Sequence, residues 1–234
     1  VDNIDFTKRV ANGPTDRGFD YFYGLTSPSG PPHLYMVNDM AEKQPNTRFE
    51  ESGGGLYKIK GGIGHSDWSA DGMQPHLADK MLEYLDENKD SDKPFFLYMA
   101  LTALHIPLFP SKEFKGKSKI GDYGDLVMMI DDIVGRVNRK LKEIGKYDNT
   151  IVMFAADNGC AGYINMDRIN RKGHYPSYIY RGYKSHGWEG GHRIPFILLW
   201  GDRYGHVTDN SLVSLTDLYA TFADMLGYRM ADDE

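Results

Sequence analysis

Three stretches of the chain combine residue types that could do chemistry. Asp157 and Asn158 follow directly on the apolar run TIVMFAA at residues 150–156. A carboxylate beside an amide oxygen suits a hard cation such as Ca²⁺ or Mg²⁺, which takes oxygen ligands. Asp157, Asn158 and Gly159 are also the usual turn formers, so a plain turn is the competing reading. His105 stands shortly after the run FFLYMAL at residues 95–101, where a polar group beyond a strand end meets ligand in open α/β sheets. Flanked by Leu104 and Ile106, it reads equally as a core histidine bonded to a carbonyl. The third stretch, RGYKSHGWEGGHRIP at residues 181–195, sets Lys184, His186, Glu189, His192 and Arg193 around four glycines. Glycine lets backbone approach a ligand closely, and lysine or arginine can neutralise an oxyanion. A solvated charged loop is the alternative.

These groups need a scaffold, and hydrophobic periodicity predicts one. Leu77, Met81, Leu82 and Leu85 recur at three and four, which predicts an amphipathic helix over residues 74–88. Leu126, Ile130, Ile133, Val137, Leu141 and Ile144 predict a longer one over 123–144, closed by Gly145. The runs at 95–101, 150–156 and 196–200 have strand length and unbroken apolarity, as expected of strands covered on both faces in a parallel sheet. A last helix is expected over 215–226. Strand, helix, strand is the crossover unit of α/β folds. Residues 1–73 are punctuated by Asn12-Gly13-Pro14, residues 27–32 and two glycine clusters, and read as a loop-rich entry segment with short strands. Residues 74–234 would then be the α/β core.

Composition narrows the partners. The 234 residues suffice for one large core, and 41% hydrophobic with 26% charged is ordinary for a globular chain. No apolar run approaches the ~18 residues of a membrane span. A net charge of −6, with both signs mixed along the sequence, predicts no nucleic-acid partner. Cys160 is the only cysteine, which excludes an internal disulfide and a cysteine-based zinc site.

Four phrases resemble, in order, those of type I sulfatases, the arylsulfatase-like branch of the alkaline phosphatase superfamily. They are GFDYFYG at residues 18–24, PFFLYMALTALHIPL at 94–108, TIVMFAADNG at 150–159 and KSHGWEGGHRIP at 184–195. The resemblance implies an α/β fold, alkaline phosphatase-like, with a mixed, mostly parallel sheet, helices on both faces and part of the fold missing. It also implies that Asp157 and Asn158 bind one divalent cation, usually Ca²⁺. Lys184 would contact a sulfate oxygen, and His105 would stand by the ester oxygen as sulfate binder or proton donor to the leaving alkoxide. Glu189 and Arg193 would hold the loop.

The sequence departs from that family at its start. The family makes a formylglycine nucleophile from a CxPxR-type motif and supplies an early aspartate pair and a lysine and histidine. None of these is in the chain, and Cys160, in GCAGY, lacks the Pro and Arg. The expectation is therefore a truncated sulfatase that is inert alone, its formylglycine lying in a missing N-terminal segment. Residues 170–183 are rich in Tyr, Arg and His, which can stack on and hydrogen-bond sugar rings or pack as a structural loop. Their wording is similar to bacterial sulfatases acting on polysaccharides, and that resemblance implies a carbohydrate sulfate over a small aryl sulfate. A periplasmic or extracellular location follows from the resemblance only. Two alternatives stay open: a phosphodiesterase or phosphatase of the same superfamily, and a non-catalytic module that binds sulfated glycans.

Overall fold

The computed structural model describes residues 5–231 apart from Thr7 and Ser29, in two compact units, one ending at Gly201 and the other starting at Asp202. In chain order the elements are β1 (Tyr23–Gly24), β2 (Met36–Val37), β3 (Met40–Ala41), β4 (Thr47–Phe49), β5 (Gly62–Gly64), α1 (Met73–Glu87), α2 (Asp122–Glu143), β6 (Ile151–Ala155), α3 (Met166–Asn170), α4 (Glu189–His192), β7 (Phe196–Trp200) and α5 (Asp217–Met225). Short 3-10 turns punctuate them. In the second unit, α5 buries Ala223 and ends where the Leu226 N–H donates to Phe222 at 3.0 Å.

The predicted helices form where their apolar spacing requires. α2 runs 22 residues, with Asp122 and Asp125 in its first turn and Lys140 and Lys142 in its last. That order of charge complements the helix dipole. Gly145, at φ 68°, then reverses the chain. Its N–H donates to the Lys142 carbonyl (3.1 Å) and that of Lys146 to the Leu141 carbonyl (2.9 Å), the paired bonds of a Schellman cap. Leu126, Met129 and Ile133 of α2 pack on Ala78 of α1 with Leu108 and Phe114. Farther along, Val137 and Leu141 meet Leu85, Phe95, Leu97 and Val152. The two helices thus form a layer beneath the extended residues 95–101 and β6.

The entry segment folds as short hairpins. β1, β2 and β3 make an antiparallel sheet, and β4 pairs antiparallel with β5. The Tyr23 hydroxyl donates to Glu42 at 2.7 Å and lies 2.6 Å from His76 Nε2, which ties that sheet to α1.

The α/β class holds, but the mostly parallel sheet does not appear among the described residues. β6 and β7 pair antiparallel, and the parallel contact is a single bridge, His33 to Gly64. Nor is the run at 95–101 a strand covered on both faces. It is extended without a ladder, turning Phe95, Leu97 and Met99 toward the helices while Phe96 and Tyr98 are 65% and 73% exposed. An apolar run signals burial but does not name a hydrogen-bonding partner, and among the described residues no strand pairs with this one.

Candidate active site

The β6–β7 ladder brings two of the three stretches together. Its register runs from Ile151 opposite Trp200 to Ala155 opposite Phe196. In an antiparallel pair the end of one strand meets the beginning of the other. Asp157 and Asn158, just past β6, therefore emerge beside the glycine-rich loop that leads into β7.

Glycines close the join. The Gly159 N–H donates to the Gly191 carbonyl at 2.9 Å, and a Cβ on Gly159 would collide with the carbonyl of Gly190. Gly190 in turn donates to Arg181 (2.9 Å) and Gly191 to Trp188 (2.7 Å), coiling the loop on itself. Both positions are buried, and a Cβ at either would meet loop backbone. The Lys184 N–H donates to the carbonyl of Cys160, the second residue after Asn158, at 2.8 Å, which fixes the backbone of the lysine there. Ser185, at φ 74°, then turns the chain away. For a residue with a Cβ that conformation is uncommon, and it marks a backbone path held by its surroundings. Glu189 and Arg193 pair across α4 at 2.7 Å, and the Arg193 guanidinium lies 4.6 Å from the centre of the Tyr180 ring. That ion pair lowers the Glu189 carboxyl below its ordinary range.

His105 lies on a different segment and lines a separate cleft. Its backbone N–H donates to Thr102 at 2.9 Å, and its Nδ1 lies 2.7 Å from the Ile106 carbonyl. A carbonyl accepts only, so Nδ1 carries the proton and Nε2 is the acceptor nitrogen of the neutral ring. The ring lines a small cleft with Gln74, Thr102, Pro107, Phe109 and Leu126. Asp157, Asn158 and Lys184 are not among the walls of that cleft. Burial is the main cause that raises the Tyr163 phenol, with the Ile106 backbone N–H lowering it and Cys160 and Asp157 raising it.

The donor chemistry fits a hard cation. Asp157 is exposed and, among the described residues, carries no hydrogen bond or ion pair; Asn158 is half-buried. The Asn158 amide nitrogen donates to the Gly159 carbonyl at 3.3 Å, which leaves its oxygen as the available ligand atom. Two oxygen donors are a partial set against the six to eight that Ca²⁺ takes. Among the described residues no group of three or more His, Cys, Asp or Glu side chains gathers as a zinc site requires.

Cys160 lies next to these groups without joining them. Its Sγ is 3.6 Å from the Tyr123 hydroxyl and 3.8 Å from Met166 Sδ, and burial pushes the thiol above its ordinary range. A half-buried thiol shifted that way is a packing group, since the thiolate is the nucleophile. Sequence reasoning missed Asp125. Asp125 is fully buried, and its two oxygens accept the N–H groups of Gly116 (2.7 Å) and Ser118 (2.6 Å). Its place in the first turn of a helix resembled that of any solvated dipole partner.

Comparison with known proteins shows the family. A protein-family model described as Sulfatase matches residues 3–228. An N-acetylgalactosamine-6-O-sulfatase of Bacteroides thetaiotaomicron is 32% identical over 169 residues, 71% of this chain and 33% of that protein. An arylsulfatase of Hemicentrotus pulcherrimus is 35% identical over 162 residues, 69% of this chain and 28% of its own. Among solved structures, one from work on the metabolism of multiple glycosaminoglycans by B. thetaiotaomicron superposes with a TM-score of 0.82 at 25% identity, covering 98% of this chain and 55% of that one. The PsFucS1 sulfatase from Pseudoalteromonas sp. gives 0.71 at 27% identity, over 92% and 45%. The chain thus spans about a third of these curated relatives and about half of these solved structures. With its fold that of alkaline phosphatase-like sulfatases and its matched residues running nearly end to end, the chain belongs to the sulfatase family.

Proposed function

We propose that the protein containing this chain hydrolyses sulfate esters of carbohydrates, and that Asp157, Asn158, Lys184 and His105 serve that reaction. The observation that supports the reading is the hydrogen bond from the Lys184 N–H to the Cys160 carbonyl, which brings the backbone of a lysine close to the segment that holds Asp157 and Asn158. Cleaving an S–O bond concentrates negative charge on the sulfate oxygens and on the leaving oxygen, and fixed positive groups stabilise both. Lys184 is half-buried and has no carboxylate partner among the described residues, so its ammonium is available to a sulfate oxygen. Asp157 and Asn158 would hold one divalent cation, which when bound supplies further charge to the sulfo group. His105, whose Nδ1 is held by the Ile106 carbonyl, would meet the leaving group through Nε2.

A carbohydrate ester is favoured by the relatives, several of which are N-acetylgalactosamine-6-sulfatases from bacteria and mammals. The nucleophile is expected to be a formylglycine outside this chain, which contains no CxPxR-type motif. The isolated 234 residues would then be inert, because a route through a covalent sulfate ester has no first step without it. Among the described residues no helix is long and apolar enough to cross a membrane, and a secreted or periplasmic setting goes with the reading. The test is desulfation by the complete protein of 6-sulfated N-acetylgalactosamine against an aryl sulfate. Turnover of the sugar sulfate, lost in Lys184→Ala, is expected; hydrolysis of the aryl ester alone, or a fully active Lys184→Ala, would contradict it.

A further inference from the structure

The chain is acidic overall at −6, yet two of its segments are strongly basic. Residues 112–119 hold Lys112, Lys115, Lys117 and Lys119 against Glu113, and residues 166–174 hold Arg168, Arg171 and Lys172 against Asp167. Folding brings the two together. Lys172 Nζ donates to the Lys119 carbonyl at 2.6 Å, a Cβ on Gly121 would lie 3.9 Å from Arg168 Nη2, and the rings of Tyr123 and His174 are 6.3 Å apart. Asp122 neutralises Lys115 at 2.6 Å, while Asp125 is turned inward onto Gly116 and Ser118. The other six cations are exposed, and none has a carboxylate partner among the described residues.

This ridge abuts the candidate site. Cys160 touches Tyr123 at the start of α2 and Met166 at the start of α3, and its carbonyl is the anchor of Lys184. A concentration of unpaired, solvent-facing charge costs self-repulsion, which a counter-charged ligand relieves. We propose that residues 112–119 and 166–174 form a secondary site for anionic groups farther along a polyanionic glycan, so that the protein selects multiply charged oligosaccharides over an isolated sulfated sugar. The proposal rests on the carbohydrate-sulfatase reading for the reaction, and on the charge arrangement for the chain-length preference. The cations are long and mobile, and they recognise charge density rather than one sugar geometry.

The experiment compares the complete protein with a Lys119→Gln/Arg171→Gln variant, which alters neither the loop into β7 nor the end of β6. Substrates are a monosulfated N-acetylgalactosamine and a chondroitin sulfate octasaccharide. The variant is expected to raise KM for the octasaccharide by about tenfold at low salt and to flatten its salt dependence, as loss of screened charge contacts requires. kcat, and KM for the monosaccharide, should not move. Equal effects on both substrates, or on neither, would overturn the proposal, as would a DNA duplex of equal charge competing as well as the octasaccharide. If the wild-type protein desulfates no sugar, the parent reading fails separately. Direct octasaccharide binding then decides the ridge: weakening in the variant supports it, and unchanged binding ends it.

Discussion

Ala155 lies opposite Phe196 in the antiparallel ladder, and from that one pairing the neighbourhood of Asp157 and Lys184 follows. Asp157 follows the end of β6 and Lys184 lies in the loop that leads into β7, and the Gly159, Gly190 and Gly191 backbones pack without side chains between them. Gly159→Ala should cost about 1–3 kcal/mol from overpacking, because the obstacle is the Gly190 carbonyl and not the movable end of a side chain. A lowered thermal midpoint together with weakened cation binding checks this. A midpoint equal to wild type would show that the loop yields freely.

Lys184→Ala in the complete protein should lower kcat/KM for a sulfate ester by at least roughly a hundredfold, the scale on which a single charge-stabilising donor acts. Lys184→Arg should restore only part of this, since a planar fork does not replace a compact ammonium. Steady-state kinetics of the two variants would reveal a merely structural lysine, because there both would fall together.

Asp125→Ala removes the acceptor of two N–H groups and should destabilise the fold by roughly 2–5 kcal/mol, read from the urea midpoint. Asp125→Asn retains one acceptor oxygen and should lose less. Near-neutral behaviour of the alanine variant would mean that water satisfies the 116–118 turn.

Alkaline pH should loosen the entry segment. Burial, followed by the charge of Glu42, pushes the Tyr35 phenol up to about 12, and burial raises Tyr23 as well. A raised folded-state pKa gives stability that is complete below pH ~10, where an unfolded tyrosine titrates, and that is lost as pH rises through the folded value. Stability should therefore decline between pH ~10 and about 12, with tyrosine ionisation and unfolding coinciding in absorbance. Tyr35→Phe should move the alkaline midpoint upward. Free titration of every tyrosine near pH ~10 in the folded protein would contradict the packing.

What was legible in the sequence divides along physical lines. Helices α1 and α2 could be read within a residue or two because a period near 3.6 survives in any environment where one face is buried. The strands β6 and β7 could be read as apolar runs, but not their direction, since an unbroken run serves parallel and antiparallel neighbours alike. Residues 95–101 misled for the same reason: Leu97 packs and Tyr98 does not, yet both look like core. At the site, Asp157, Asn158 and Lys184 stood out by residue type and phrasing. The contacts that join them are backbone bonds between segments more than twenty residues apart, such as Cys160 with Lys184, and local pattern carries no trace of those. The basic ridge was hidden in the same way, because residues 112–119 and 166–174 are neighbours only after folding.

The most direct measurement is a crystal structure of the complete protein with Ca²⁺ and a sulfated sugar. It should show one cation bound by Asp157 and by the Asn158 amide oxygen, and Lys184 Nζ at about 3 Å from an oxygen of the sulfo group held by that same cation. A cation bound elsewhere, or Lys184 turned into a different pocket from the sulfo group, would contradict the account.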